Sequence, residues 1–113
     1  MTTIYHNPRC SKSRQTLQLL EEKNEDLNIV KYLEEPPTKE ELKRILELLN
    51  IKPIALIRKN EPIWKDNFKG KDLSQEEVLE AMIKHPKLIE RPIVVKGAKA
   101  SIGRPPENVL SIL

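Results

Sequence analysis

Cys10 is the only cysteine in a chain of 113 residues, and its neighbours are not those of a core position. A buried structural cysteine behaves as a small hydrophobe. Cys10 instead stands in the run Tyr5-His6-Asn7-Pro8-Arg9-Cys10-Ser11-Lys12-Ser13-Arg14, among cations and hydroxyls. Asn7-Pro8 breaks the β-prone stretch Thr3-Ile4-Tyr5, and a helix is expected from Ser11 onward. That puts Cys10 at a helix N-terminus, where unpaired peptide N–H groups and the helix dipole favour negative charge. Arg9, Lys12 and Arg14 add positive charge, and His6 closes the strand. Each effect favours thiolate, the nucleophilic form of the side chain. The same helix end can dock an oxyanion.

Three further arginines fall at element boundaries rather than on helix faces: Arg58 after Leu56-Ile57, Arg91 before Pro92, and Arg104 between Gly103 and Pro105. Any one of them alone reads as a surface charge or a structural ion pair. Loop ends on a shared rim, however, are where α/β folds place functional groups. Guanidinium forks bind the oxygens of a tetrahedral anion in pairs, a geometry that lysine does not match.

The elements that must position these groups follow from local patterns. Thr3–Tyr5 begins a strand, an amphipathic helix of about three turns carries Thr16, Leu17 and Leu20 on one face, and residues 27–33 alternate as a second strand. Strand, helix and strand at this spacing form a βαβ unit with parallel pairing through a right-handed crossover. Thr38 and Glu41 make a capping box for a helix with Leu42, Ile45, Leu46 and Leu49 inward. Pro53 opens a short helical piece, and residues 59–73 read as irregular, with at most one turn, pinned by Trp64 and Phe68. Ser74 and Glu77 form a second capping box, opening a helix with Val78, Leu79, Met82 and Ile83 inward; His85 reads as a helix-end residue. Ile93–Lys96, a turn at Gly97-Ala98 and Lys99–Ile102 form a β-hairpin, before a final helix from Asn108. The fold class is α/β: a four-stranded mixed sheet flanked by helices, with an inserted helical segment between its β-α-β and β-β-α halves.

Composition excludes several classes. Hydrophobic residues make up 38% and charged residues 33% of the chain, with a net charge of +3 and only 4% aromatics. Nucleic-acid binding usually shows a basic stripe interleaved with aromatics, and no such stripe is present. No apolar run reaches the length of a membrane span or a signal peptide. A single domain in the cytoplasm is expected. One cysteine forms no internal disulfide and has no local metal-ligand partners, so neither a metal nor a bound cofactor is expected.

The run from Asn7 to Arg14, Arg58, Glu90-Arg91-Pro92-Ile93-Val94 and Ile102-Gly103-Arg104-Pro105-Pro106-Glu107 together resemble the glutaredoxin-linked arsenate reductase (ArsC-type) family, in particular its short YfgD-type bacterial branch. The resemblance spans essentially the whole chain. It implies a thioredoxin-like fold, Cys10 as the nucleophile that attacks arsenate, and Arg58, Arg91 and Arg104 as ligands of the arsenate and arsenite oxygens. It implies that His6 and Ser13 tune the cysteine, and that Pro92 is the cis-proline beside it. Reduction of As(V) to As(III) needs two electrons, and one cysteine cannot supply both. Glutathione as co-substrate and glutaredoxin as partner are the family's answer.

Other readings of the same residues differ in class. Arsenate reductases built like low-molecular-weight phosphatases need Cys-x5-Arg, and position 16 is Thr. A redox regulator of the same fold that binds RNA polymerase typically carries Cys-x-x-Cys, and position 13 is Ser. A thiol oxidoreductase acting on another oxyanion or a glutathione adduct fits the same set of groups.

Overall fold

The computed structural model describes residues 1–113. Two compact units divide the chain: Met1–Glu35 with Arg91–Leu113, and Pro36–Glu90.

The first unit holds the sheet. Strand β1 (Thr2–His6) is followed by helix α1 (Ser11–Glu22) and strand β2 (Leu27–Lys31). After the second unit come β3 (Ile93–Lys96) and β4 (Lys99–Ile102). The sheet order is β2-β1-β3-β4, with β1 parallel to β2 and antiparallel to β3. This is the mixed sheet expected from the sequence. Parallel pairing follows from the α1 crossover; antiparallel pairing of β3 and β4 follows from their two-residue turn, where Gly97 takes φ +60°. Ile4, Leu20, Val94 and Val109 form the core, with Leu17, Leu19, Leu27 and Ile112 packed against them. β1 thereby delivers its C-terminal residue, His6, to the start of the cysteine loop.

Two boundaries differ from the sequence reading. β2 ends at Lys31, because the chain turns at residues 32–34, with both Glu34 and Glu35 donating their N–H to the Lys31 carbonyl. The C-terminal helical segment starts two residues earlier than expected, at Pro106, and is a 3-10 helix to Ile112. Proline at the first helical position lacks only an N–H that would be unpaired there.

The second unit is helical. α2 (Lys39–Leu49) and α4 (Gln75–Lys84) both carry complete capping boxes, Thr38 with Glu41 and Ser74 with Glu77. α2 buries Leu42, Ile45 and Leu46, and α4 buries Val78, Leu79 and Met82. The stretch expected to be irregular contains a further helix, α3 (Pro62–Asn67). Pro62 opens it, Trp64 is buried, and the Trp64 ring stacks on Phe68 at a centroid distance of 5.4 Å. Phe68 in turn meets the His85 ring edge-on at 6.1 Å, so the aromatic pair does pin this segment. Short 3-10 pieces at Pro53–Leu56 and Pro86–Leu88 complete the unit, joined by an antiparallel bridge between Ile57 and Ile89.

Candidate active site

Cys10 occupies the N-cap position of α1 with extended backbone and is partly exposed. A tight turn puts it there: the Cys10 N–H donates to the Asn7 carbonyl at 3.0 Å, and the Asn7 side chain accepts from the Arg9 N–H at 3.0 Å. Pro8 fits such a turn, and Asn7 holds it from within. The Arg14 guanidinium closes the loop from outside by donating to the Pro8 carbonyl at 3.0 Å.

Ser13 is the hub beneath the loop. Its hydroxyl is fully buried, accepts from the Asn7 N–H at 3.0 Å, and lies 2.6 Å from His6 Nδ1. Burial first, then the positive charges of Lys31 and Arg14, lower the His6 pKa. A neutral imidazole has one donor and one acceptor nitrogen, so Nδ1 shares a hydrogen bond with the Ser13 hydroxyl in either tautomer while the Ser13 oxygen accepts from Asn7. His6 and Ser13 thus fix the cysteine loop.

The sulfur closes no short N-cap hydrogen bond, yet its surroundings favour the anion. Burial pushes the Cys10 thiol up; the Ser13 N–H, the Arg91 guanidinium, the Lys12 N–H and the charge of Arg104 outweigh it, leaving the pKa below the ordinary thiol value. Arg104 reaches from the far end of β4: its Nη2 lies 3.4 Å from Cys10 Sγ, and its Nε donates to the Arg91 carbonyl at 2.7 Å. The peptides Arg91–Pro92 and Arg104–Pro105 are both cis. The cations that engage the sulfur are therefore Arg91 and Arg104. Within the loop, Arg9, Ser11, Lys12 and Arg14 are exposed, and Lys12 acts on the sulfur through its peptide N–H.

Two contributors escaped the sequence reading. Gly103 sits so close to α1 that a Cβ there would lie 2.5 Å from Thr16 Oγ1 and 2.8 Å from Pro92 Cγ. The Gly103 N–H also donates to the Pro92 carbonyl at 2.9 Å. This contact sets where Arg104 starts, and the available signal was a glycine immediately before a boundary arginine. The other is Tyr32, read as a strand residue, which is buried just beyond the end of β2 and acts electrostatically on Arg91.

Arg58 belongs to the helical unit. There its Nη1 donates to Glu90 Oε1 at 2.9 Å and its Nε lies 3.6 Å from Glu61 Oε1. The Arg58 N–H donates to the Leu88 carbonyl and the Glu90 N–H to the Leu56 carbonyl, so the ion pair flanks the Ile57–Ile89 bridge.

A sheet of this order with one cysteine at the first helix N-cap and two arginines on its sulfur defines a thioredoxin-like protein built around a single activated thiol. The ArsC family model matches residues 5–112, and the chain belongs to the ArsC family. It is 48% identical to YfgD of Escherichia coli K12 over 97% of this chain and 94% of that protein. It is also 48% identical to an arsenate reductase of Haemophilus influenzae, over 97% of both chains. Among solved structures, the arsenate reductase of Vibrio cholerae superposes with a TM-score of 0.94 at 49% identity, covering 99% of this chain and 97% of that one. No helix is long and apolar enough to cross a membrane.

Proposed function

We propose that the protein is an arsenate reductase whose Cys10 thiolate attacks arsenate and whose covalent S–As adduct is resolved by glutathione and glutaredoxin. The observation that carries this reading is the placement of Arg104 and Arg91 on Cys10 Sγ. Two guanidinium groups favour the thiolate and can also hold the oxygens of an incoming tetrahedral anion. The name of the Haemophilus influenzae relative, at 48% identity, supports arsenate as that anion.

The chemistry closes as follows. The Cys10 thiolate attacks arsenic, an oxygen leaves as water after protonation, and an S–As bond forms. Two electrons must then reach arsenic, and they come from the conversion of two thiols to one disulfide. The net change is arsenate plus two thiols to arsenite, a disulfide and water. Cys10 is the only thiol in the chain, so the resolving thiols come from outside, and glutathione with glutaredoxin is the supply the family resemblance implies. Arg91 and Arg104 hold the anion, while His6 and Ser13 hold the loop. For Arg58 the resemblance supports an oxyanion role, against the ion pair it makes with Glu90.

The test is purified protein with arsenate, glutathione and glutaredoxin, read by NADPH consumption through glutathione reductase. Turnover that vanishes in Cys10→Ser supports the reading. No turnover in the wild-type protein overturns it.

A further inference from the structure

A cavity of about 250 Å³ opens beside the cysteine loop, within the sheet unit, and neither Arg91 nor Arg104 lines it. One wall is the run His6-Asn7-Pro8-Arg9, which leads directly into Cys10; the other is the turn after β2, with Leu33 and Glu34. The parallel register of β1 and β2 sets His6 opposite Lys31, which completes the lining. Two of the polar side chains are buried, His6 at 5% exposure and Asn7 at 6%. Each holds the loop with one atom and keeps another without a protein partner. His6 Nδ1 lies against the Ser13 hydroxyl, which leaves Nε2; Asn7 Oδ1 accepts from the Arg9 N–H, which leaves Nδ2. A buried polar group without a partner is costly, and both of these residues face one cavity. Arg9, Lys31 and Glu34 set two positive charges against one negative at the same cavity, and none of the three makes an ion pair.

We propose that this cavity binds the amino-acid head, a carboxylate and an ammonium on one carbon, of the outside thiol that resolves adducts at Cys10. A carboxylate only accepts hydrogen bonds. Asn7 Nδ2 offers it one, and Lys31 and Arg9 offer charge-assisted ones at the rim. His6 Nε2 offers another in the tautomer whose Nδ1 accepts from Ser13, so a bound carboxylate selects that tautomer. Glu34 gives the ammonium its counter-charge, while Pro8 and Leu33 meet the carbon chain. A bare inorganic anion would use the donors, leave Glu34 opposed to it and fill only part of the space. Cys10 is not in the lining but follows Arg9 directly, and consecutive Cα atoms are only about 3.8 Å apart. A thiol on a short arm thus reaches the sulfur from a head seated in the cavity. With one cysteine in the chain, any adduct or mixed disulfide at Cys10 needs such a thiol. The inference deepens the function proposed above and rests on it only for the use of a small-molecule thiol.

Two measurements on the full chain test it, with substitutions at exposed positions. The first is an NMR titration with S-methylglutathione, which has the amino-acid head and no free thiol. The Asn7 side-chain amide and the His6 ring should move saturably, with binding about threefold weaker in Lys31→Ala and in Glu34→Ala. No movement overturns the site, and sulfate binding as tightly at the same signals overturns the amino-acid head. The second starts from Cys10 as its mixed disulfide with thionitrobenzoate. A glutathione thiolate attacks the Cys10 sulfur, the bond to thionitrobenzoate breaks, and thionitrobenzoate leaves with the electron pair as a coloured anion. Lys31→Ala and Glu34→Ala should each slow glutathione about threefold and leave β-mercaptoethanol, which has no amino-acid head, unchanged. Glu34→Ala separates a seat from general attraction, because losing a negative charge would by attraction alone speed an anionic thiol. Faster release by glutathione in Glu34→Ala, or equal effects on the two thiols, overturns the proposal. Wild-type protein that fails to reduce arsenate would overturn the function proposed above and leave both comparisons standing, since neither uses arsenate.

Discussion

Arg104 binds Cys10 and Arg91 at once: its Nη2 sits 3.4 Å from the sulfur while its Nε donates to the Arg91 carbonyl at 2.7 Å. One guanidinium therefore ties the end of β4 both to the Cys10 sulfur and to the residue before the cis Pro92. Its orientation toward Cys10 is set by a backbone acceptor, which no side-chain motion of Arg91 can withdraw.

Alkylation of Cys10 is expected to titrate below an ordinary thiol, and Arg104→Ala should move the midpoint upward. The sign also reaches stability. A thiol whose folded pKa is lowered stabilises the fold fully above its unfolded pKa and loses that contribution as pH falls through the folded value. Wild type should gain on Cys10→Ser as pH rises across that window, measured by urea unfolding at several pH values. A gain in the opposite direction would contradict the thiolate assignment.

His6 works on the acid side. Its folded pKa is lowered from 6.5, so the neutral ring is favoured by the fold. Stability is complete above the unfolded value and is lost as pH falls through the folded one. Protonation also places a charge on a ring whose Nδ1 lies 2.6 Å from the buried Ser13 hydroxyl. Urea midpoints for wild type should therefore drop between pH 7 and pH 5 more than those for His6→Gln. Equal drops would separate His6 from the acid sensitivity.

Gly103→Ala should cost about 1–3 kcal/mol, the usual range for forcing a methyl into packed space, because Thr16 and Pro92 occupy the position of the new Cβ. Thr16→Ala in the same chain should recover part of that loss, as it removes Oγ1 and Cγ2. Thermal unfolding of the four proteins in this cycle checks both statements. Additive losses would show that the two residues do not share the space.

Arg58→Ala discriminates an oxyanion ligand from an ion pair. Its partners Glu90 and Glu61 are part-exposed, so losing the pair should cost only about 1 kcal/mol of stability. Loss of a charged hydrogen bond to the anion should weaken arsenate binding by about tenfold or more. Isothermal titration with arsenate, alongside urea unfolding, gives the two numbers. A stability loss with unchanged arsenate affinity would leave Arg58 as a structural tie.

Thr38→Ala and Ser74→Ala should each cost about 1 kcal/mol, the usual worth of an N-cap, since each hydroxyl accepts the N–H three residues on at 3.1 Å. Urea unfolding of the single variants is sufficient, and a neutral result at either would show that the helix end is carried by packing alone.

What was legible in the sequence was local. Asn7-Pro8 announces a turn, the residues around Cys10 are wrong for a core, and both capping boxes are written in four consecutive positions. Gly97-Ala98 separates β3 and β4 as plainly. α3 was missed although Pro62 is a helix-opening residue, because the surrounding lysines and Gly70 drown a helix of six residues. Tyr32 was absorbed into the alternation of β2; its electrostatic link to Arg91 spans 59 positions, and periodicity carries no information at that range. The convergence of Arg91 and Arg104 on Cys10 is likewise a tertiary fact. Only the family resemblance, which reads several distant motifs together, pointed to it.

The bond between Arg104 and Cys10 joins residues 94 positions apart. During synthesis Cys10 leaves the ribosome long before the arginines that activate it. Until residues 91–104 fold onto the loop, the sulfur lacks both guanidinium neighbours, and only the peptide N–H groups of Ser13 and Lys12 favour its anion. The thiol therefore gains its full anionic stabilisation only once β4 has joined the sheet.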